Sequence, residues 1–346
     1  MEALPLPSLV MVAVECSNVV VSILFKAACF KGLSSYTFIA YSFVLSTFVF
    51  TLLLFLRKTV FPPLKFPLIS RLCLLAVTGY AGLMCSYKGI DLASPTLASA
   101  INNLTPAFTF VLAVSFRMEK VELRRAASQA KIIGTITSIS GALLMAFYKG
   151  PTVIPSSPWT SPSVLQLQRP LESSQSNWII GGILLATAHL LYSCWYIIMA
   201  QIMTIYPEEI VVTCIYSLSV SLLAIPVSFI TQPQLSSWRL TDSISVVAVL
   251  YTGLFGFSFS TCAHIWGIRL KGPVFVAIFR PTSIVIAAVM SAMFLGEALY
   301  LGSVIGAVII TGGLYAVLWG KAKEAEEYGG LGPSSNADVP LLQAYK

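Results

Sequence analysis

Leu9-Val-Met-Val-Ala-Val-Glu-Cys-Ser-Asn-Val-Val-Val-Ser-Ile-Leu-Phe-Lys-Ala-Ala-Cys29 is the stretch that decides the fold class. Wound as an α-helix it reaches about 30 Å, the thickness of a bilayer's hydrocarbon core. Its apolar residues run on without the alternation of a barrel strand, so the segment reads as a membrane-crossing helix. Among its polar residues Glu15, Asn18, Ser22 and Lys26 stand at spacings that put them on one helical face. An ionisable group in hydrocarbon costs at least a few kcal/mol, so this stripe faces protein or water rather than lipid. No basic region and no small-residue cleavage site precede the segment, which reads as a retained span and not a cleaved leader.

Runs of the same kind recur along the chain. Expected spans cover 9–29, 35–56, 70–89, 96–116, 130–148, 178–199, 209–230, 243–266, 274–295 and 300–319. The composition agrees: 57% of residues are hydrophobic and only 10% charged, against roughly 25% charged in a soluble domain. Mean hydropathy is +0.84. Residues 149–177 hold five prolines and seven serines and read as a flexible linker. They divide the chain into a first five-helix unit, 1–148, and a second, 178–320. The tail, 321–346, turns charged and then rich in Gly, Pro and Ser, and is expected to be a disordered cytoplasmic segment.

The net charge of +7 is a topology signal, not a sign of nucleic-acid binding. With the N-terminus in the cytoplasm, fourteen of the 21 Lys and Arg residues fall on the cytoplasmic side and six on the other, leaving Arg280 inside a span. Both termini are therefore expected in the cytoplasm. The seven cysteines form no CxxC pair and the two histidines lie apart, so neither a disulfide framework nor a metal site is expected, and no cofactor.

The two halves resemble each other. Tyr41-Ser42 corresponds to Tyr216-Ser217, and Thr78, Gly79 and Gly82 to Thr252, Gly253 and Gly256. Asn102 and Glu119 correspond to Arg280 and Glu297, and Gly134 and Gly141 to Gly306 and Gly313. Since each half has an odd number of spans, the second enters the membrane from the opposite side. The expected fold is an all-α membrane protein of ten transmembrane helices in two inverted five-helix repeats. Inverted repeats can exchange conformations and open a central site to each side in turn.

Several motifs carry a family resemblance. In the first half they are Asn103-Leu-Thr-Pro-Ala-Phe-Thr-Phe-Val-Leu-Ala113, Phe116-Arg-Met-Glu-Lys120, Gln129-Ala-Lys-Ile-Ile-Gly134 and Tyr148-Lys-Gly-Pro151. In the second they are Phe279-Arg-Pro-Thr-Ser283, Phe294-Leu-Gly-Glu297, Leu301-Gly-Ser-Val-Ile-Gly-Ala307 and Trp319-Gly-Lys-Ala-Lys323. Over residues 9–323 the chain resembles the EamA branch of the drug/metabolite transporter superfamily. It is most similar to the plant nodulin-like, Walls-Are-Thin-related proteins, also named usually-multiple-acids-move-in-and-out transporters (UMAMIT). Arg280 stands where that family often has lysine. The resemblance implies facilitated or coupled movement of amino acids or related small molecules, or of indole compounds such as auxin. It favours the plasma membrane, with the vacuolar membrane as alternative.

The residues themselves suggest a binding site. Glu15, with Asn18 beside it, either recognises an amino group, exchanges a proton or makes a structural ion pair. Arg280, preceding Pro281, either anchors a substrate carboxylate through its bidentate guanidinium or pairs with Glu15 or a carbonyl. If both faced a cavity, a zwitterion would satisfy both. Asn102 and Asn103, ahead of Pro106, line a cavity or bond helices together. His189, Tyr192, Ser193 and Tyr196 share one face and suit an amide or indole ligand, or interhelical packing. Gly302/Gly306 and Gly134/Gly141 are small-residue patterns for close packing or for a homodimer face. Glu119 and Glu297, at span ends, read as cap or loop residues. Asp338-Val-Pro-Leu-Leu342 resembles an acidic dileucine sorting signal. No HExxH, GxSxG or paired intramembrane aspartates are present to support an intramembrane enzyme. A non-transporting scaffold is the other alternative. The expected partners are a small-molecule substrate and the lipid bilayer.

Overall fold

The computed structural model describes residues 5–57, 66–92, 101–102, 104–119, 124–148, 150–154, 175–234, 238–240, 242–294 and 299–329. Nearly all are helical. Helices α1 (Pro5–Phe30), α2 (Ser35–Arg57), α3 (Phe66–Leu92), α4 (Thr105–Ser115) and α5 (Ala126–Phe147) form the first half. The second half comprises α6 (Gln175–Ile205), α7 (Glu209–Thr231), α8 (Ser243–Lys271), α9 (Pro273–Ala277), α10 (Thr282–Phe294) and α11 (Leu301–Gly329).

Among the described residues seven helices are long and apolar enough to cross a membrane: Leu6–Cys29, Ser35–Arg57, Leu68–Gly89, Ile179–Ile205, Glu209–Thr231, Ser243–Lys271 and Val304–Glu324. The molecule is built inside out relative to a water-soluble protein. Phe48, Leu222, Ile133 and Val308 are exposed, while Glu15, Lys131, His189 and His264 are buried. A soluble protein reverses that distribution.

Two expected spans are not single continuous helices. The fourth has its described helix, α4, starting only at Thr105, after a turn at Leu104. The ninth is split into α9 and α10 by a turn over residues 278–281. The prolines explain where the new helices begin. A proline has no N–H to give and its ring fits the first turn, where no partner is required. Pro106 lies in the first turn of α4, and Pro281 immediately precedes α10. Helix α8 ends at Gly272, whose φ of 86° stops the helix, and Pro273 starts α9.

Helix α2 packs along α7, and α5 along α11. Helix α3 packs on α6 and α7, while α8 packs on α1 and α2. Helix α4 lies on α6, and α10 lies on α1. The α5–α11 contact is the tightest, and glycines make it possible. A Cβ on Gly313 would come within 2.5 Å of the Ser138 nitrogen and 2.6 Å of the Gly134 carbonyl oxygen, and one on Gly141 within 2.8 Å of Ile309. Gly134 and Gly141 are thus spent inside one chain, on α11, and are not a free face for a second copy.

The expected flexible linker is ordered at its start. Thr152–Ile154 (β1) forms an antiparallel ladder with Leu299–Tyr300 (β2), tying the end of α5 to the start of α11. Isolated ladders this short need other support, and here the α5–α11 packing beneath supplies it. The expected disordered tail also differs: α11 continues through 321–329 as helix.

The reason for that continuation is a buried ion cluster. Lys131 on α5 donates to Glu119 at 2.9 Å and to Glu324 on α11 at 2.8 Å. Lys321 donates to the other oxygen of Glu119 and to the Lys271 carbonyl at the end of α8. Glu119 is therefore a hub between both halves, not a helix cap; Glu297 lies outside the described residues. Burial alone would raise the Glu119 carboxyl's proton affinity, but Lys321 and Lys131 outweigh it and hold the group below its usual range.

Two outcomes are expected. Gly313→Val forces α5 and α11 apart and lowers stability by about 1–3 kcal/mol, read from thermal unfolding of the purified protein in detergent. Glu119 has a lower proton affinity folded than unfolded, so its contribution is complete above its unfolded value and fades as pH falls through the folded one. Glu119→Gln costs about 3 kcal/mol at neutral pH and flattens the acid side of the stability profile.

Candidate functional site

The helices enclose a cavity of about 380 Å³. Its wall comes from α1–α4, α6–α8 and the turn between α9 and α10. Ser22, Ser86, Tyr87 and Leu185 place it toward the C-terminal ends of α1 and α3 and the N-terminal end of α6. At the opposite end Met11, Val14, Met199, Ile202, Phe275 and Phe279 are buried in the main apolar core, and none of them is on the cavity wall.

Arg280 is the charged group of the cavity wall among the described residues. The break between α9 and α10 positions it. Arg280 lies in the turn, and its backbone N–H bonds to the Ala277 carbonyl at 3.1 Å. Its Nε–H donates to the Tyr196 hydroxyl at 3.0 Å, and the guanidinium carbon is 6.0 Å from the Tyr196 ring centroid. Glu15 Oε1 is 3.9 Å from Nε.

The two charges are not equivalent. The Arg280 side chain is 25% exposed, and that of Glu15 only 2%. Glu15 therefore sits behind the guanidinium and does not line the cavity, contrary to the idea that both face it. The helical periodicity of α1 fixed a polar face but not what it meets. Among the described residues of that face only Ser22, two turns along, reaches the cavity wall. The second oxygen of Glu15, Oε2, is buried without a hydrogen-bond partner among the described residues. Asn18 is also off the wall, where its Oδ1 accepts from Ser260 at 3.4 Å. The Lys26 side chain and Asn103 lie outside the described residues.

The other sequence candidates do converge. Asn102, His189, Tyr192 and Tyr196 all line the cavity. His189 Nδ1 is 3.1 Å from Thr105 Oγ1, Thr109 donates to Ser193 Oγ at 3.1 Å, and Ser193 donates to the His189 carbonyl at 2.9 Å. These bonds staple α4 to α6. Tyr192 packs against the His189 ring at a centroid distance of 5.7 Å.

Several wall residues escaped the sequence reading. His264 on α8 lines the cavity, its ring 5.8 Å from that of Tyr196. Phe43 stacks on Phe257 at 4.0 Å, and Trp195 meets Tyr216 edge-on. The wall from α8 is shaped by a π-helical stretch, Thr252–Phe259. There Ser258 donates to the Gly253 carbonyl at 2.7 Å and Ser260 to the Phe255 carbonyl at 2.9 Å, each five residues back. The widened turn puts Gly256, Phe257 and Ser260 on the cavity side. Such turns often mark functional sites, but apolar patterning in sequence carries no trace of them.

A guanidinium can hold a carboxylate through two parallel bonds, and aromatic faces accept a planar or amphipathic body. The volume falls in the range of small-molecule pockets. Among the described residues no group of three or more His, Cys, Asp or Glu side chains could hold a metal ion.

Apolar crossing helices around a cavity into which, among the described residues, one charged side chain faces are the make-up of a helical membrane transporter. The EamA-like transporter family model matches the chain twice, over residues 8–147 and 179–319, and the chain belongs to that family. Three Arabidopsis thaliana proteins described as WAT1-related are 50%, 47% and 43% identical to it. Their alignments cover 92%, 92% and 100% of this chain and 87%, 89% and 96% of theirs. A solved crystal structure with 14% identity superposes with a TM-score of 0.65, over 90% of this chain and 97% of that one, and so shares the fold. The family is one of transporters, not of enzymes.

Tyr196→Phe removes the hydroxyl that accepts from Arg280. A bond to a charged group is worth about 1.5–3 kcal/mol, so the half-saturation concentration for the carried molecule is expected to rise roughly tenfold or more. Concentration-dependent uptake, normalised to protein in the membrane, measures it.

Proposed function

We propose that this protein carries small carboxylate-bearing metabolites, amino acids foremost, across a membrane by alternating access. The observation that carries this reading is Arg280: a guanidinium exposed to a cavity of about 380 Å³, oriented by Tyr196 and set in the break of a helix. Discontinuous helices meeting near mid-membrane are the usual site of substrate binding in carriers made of inverted repeats.

The packing supports two oppositely inserted halves. Exchanging α1, α2, α3 and α5 for α6, α7, α8 and α11, and α4 for the α9–α10 pair, turns each helix contact described above into another of the same set. The contact of α3 with α6 becomes that of α8 with α1; α4 with α6 becomes α10 with α1. The glycines follow the same rule. Gly79 and Gly82 adjoin Tyr216 on α7 and Tyr192 on α6, while Gly253 and Gly256 adjoin Leu45 on α2 and Val21 on α1. Asn102 and Arg280, equated by the repeat, line one cavity from the two halves. Alternating access then means that the apolar end, around Met11 and Phe275, opens as the other closes.

An aromatic wall of Tyr87, Tyr192, Trp195, Tyr216 and Phe257 favours a second reading, in which the carboxylate belongs to an indole-type compound. The Lys and Arg distribution supports both termini in the cytoplasm, which makes the cavity face outward. The plasma membrane fits that orientation, with the vacuolar membrane as alternative.

Reconstituted liposomes loaded with buffer and given radiolabelled glutamine or indole-3-acetate separate the readings. Saturable uptake of one or both is expected, with Arg280→Gln reducing it at least tenfold while protein incorporation is unchanged. Undiminished uptake by Arg280→Gln sinks the assignment.

A further inference from the structure

Glu15 is the one wall-adjacent group that the binding site as described does not use. Its side chain is 2% exposed, on α1, in the middle of the membrane-spanning stretch. One oxygen approaches Arg280 at 3.9 Å and the other has no hydrogen-bond partner among the described residues. An ionised carboxylate held so poorly away from water depends on its cation. That cation is also the group that would take a substrate carboxylate, and it faces the cavity where Glu15 does not.

Among the described residues the surroundings offer no second cation. From α6 the neighbour is Tyr196, whose hydroxyl already accepts from Arg280. From α8 it is His264, packed on the Tyr196 ring. On α1 itself the neighbour is the neutral Asn18, whose Oδ1 accepts from Ser260 at 3.4 Å and whose amide nitrogen, on the Glu15 side, has no other partner among the described residues. The described side chains of α10 carry no titratable group. When a ligand carboxylate engages Arg280, one guanidinium then faces two carboxylates in a low-dielectric interior. Like charges sharing a site cannot both stay ionised, and one takes a proton. The ligand, with two bonds to the guanidinium and water beside it, keeps its charge. Glu15, buried with an unpaired oxygen, does not.

We propose that Glu15 is the proton-exchanging group of this carrier, so that one proton enters with each substrate carboxylate. The step balances. The Glu15–Arg280 ion pair breaks, a carboxylate–Arg280 ion pair forms, and Glu15 gains one proton from the water of the open cavity. On release both events reverse; the site is neutral both loaded and empty for a ligand whose only charge is its carboxylate, and a zwitterion adds the one positive charge of its ammonium. Arg280 turning toward the ligand uncovers Glu15 to the cavity. The inference rests on the carboxylate-carrier reading above, and its test is divided accordingly.

The first arm needs no substrate. In Arg280→Gln the cation is gone, as if a ligand had taken it. Infrared spectra of the protein in liposomes at neutral pH should then show a protonated carboxyl band that is absent from the wild type and absent again from E15Q/R280Q. No Glu15-dependent band in Arg280→Gln overturns the proposal. The second arm measures uptake of radiolabelled glutamine and indole-3-acetate with and without an inward proton gradient. The gradient should stimulate the wild type several-fold and leave Glu15→Gln unchanged. Stimulation that persists in Glu15→Gln overturns the proposal and, if lost instead in His264→Asn, reassigns the proton. A band in the first arm without uptake of either compound sinks the carboxylate-carrier reading but not the protonation of Glu15.

Discussion

A positive charge kept in the interior of a membrane protein is the constraint around which the rest is arranged. Arg280 cannot lose its proton, so its charge must be hydrated, paired or both. The break between α9 and α10 brings it to a cavity that admits water. Tyr196 fixes its orientation, and Glu15 stands behind it as counter-ion. The widened turn of α8 makes the facing wall. Each feature is a departure from a straight apolar rod, and each lies at the cavity that Arg280 faces. Helices that had only to span lipid would carry none of them.

The polar bonds between helices divide the work differently. Between α2 and α7 the hydroxyls of Ser46 and Ser217, and of Thr47 and Ser221, meet at 3.2 and 3.1 Å. Ser258 on α8 adds a bond to Ser46 at 3.0 Å. These are neutral contacts between small groups. They are short and directional, yet each is worth only about 1 kcal/mol or less in a membrane interior. Such bonds can be exchanged for others as helices shift, which a buried ion pair cannot do cheaply. Among the described residues the most deeply buried charges lie at the cavity and in the cluster around Glu119, with a more exposed pair, Arg269 and Glu209, joining α8 to α7, while the α2–α7 surface is apolar and hydroxyl-bearing.

Much of this was legible in the sequence because hydrophobic runs and helical spacing are local properties. The crossing helices, the family, and the convergence of Asn102, His189, Tyr192, Tyr196 and Arg280 all follow from residues within a few turns of one another or from repeat matching. What escaped depends on tertiary neighbours. The face of α1 was readable, but whether Glu15 met water or Arg280 depended on α9 and α10, more than 250 residues away. His264 was a lone histidine until α8 was placed beside α6. Glu119 read as a cap or loop residue because one of its partners, Lys321, comes from the far end of the chain. The same cluster keeps 321–329 helical although its composition reads as tail. Pro106 and Pro281 were visible, but a proline near a span end is compatible with a kink, a break or a fresh start, and only the fold chooses.

The α5–α11 pair has a mechanical meaning of its own. Glycine lets the two backbones touch along their length, the short β ladder pins them at one end, and buried lysines clamp them at the other. Among the described residues none on the cavity wall belongs to either helix. A transport cycle needs some parts that yield and some that do not, and these two behave as a stiff outrigger. Any movement among the cavity-forming helices would be movement against this pair, which the ion cluster at Glu119 joins to the ends of α4 and α8.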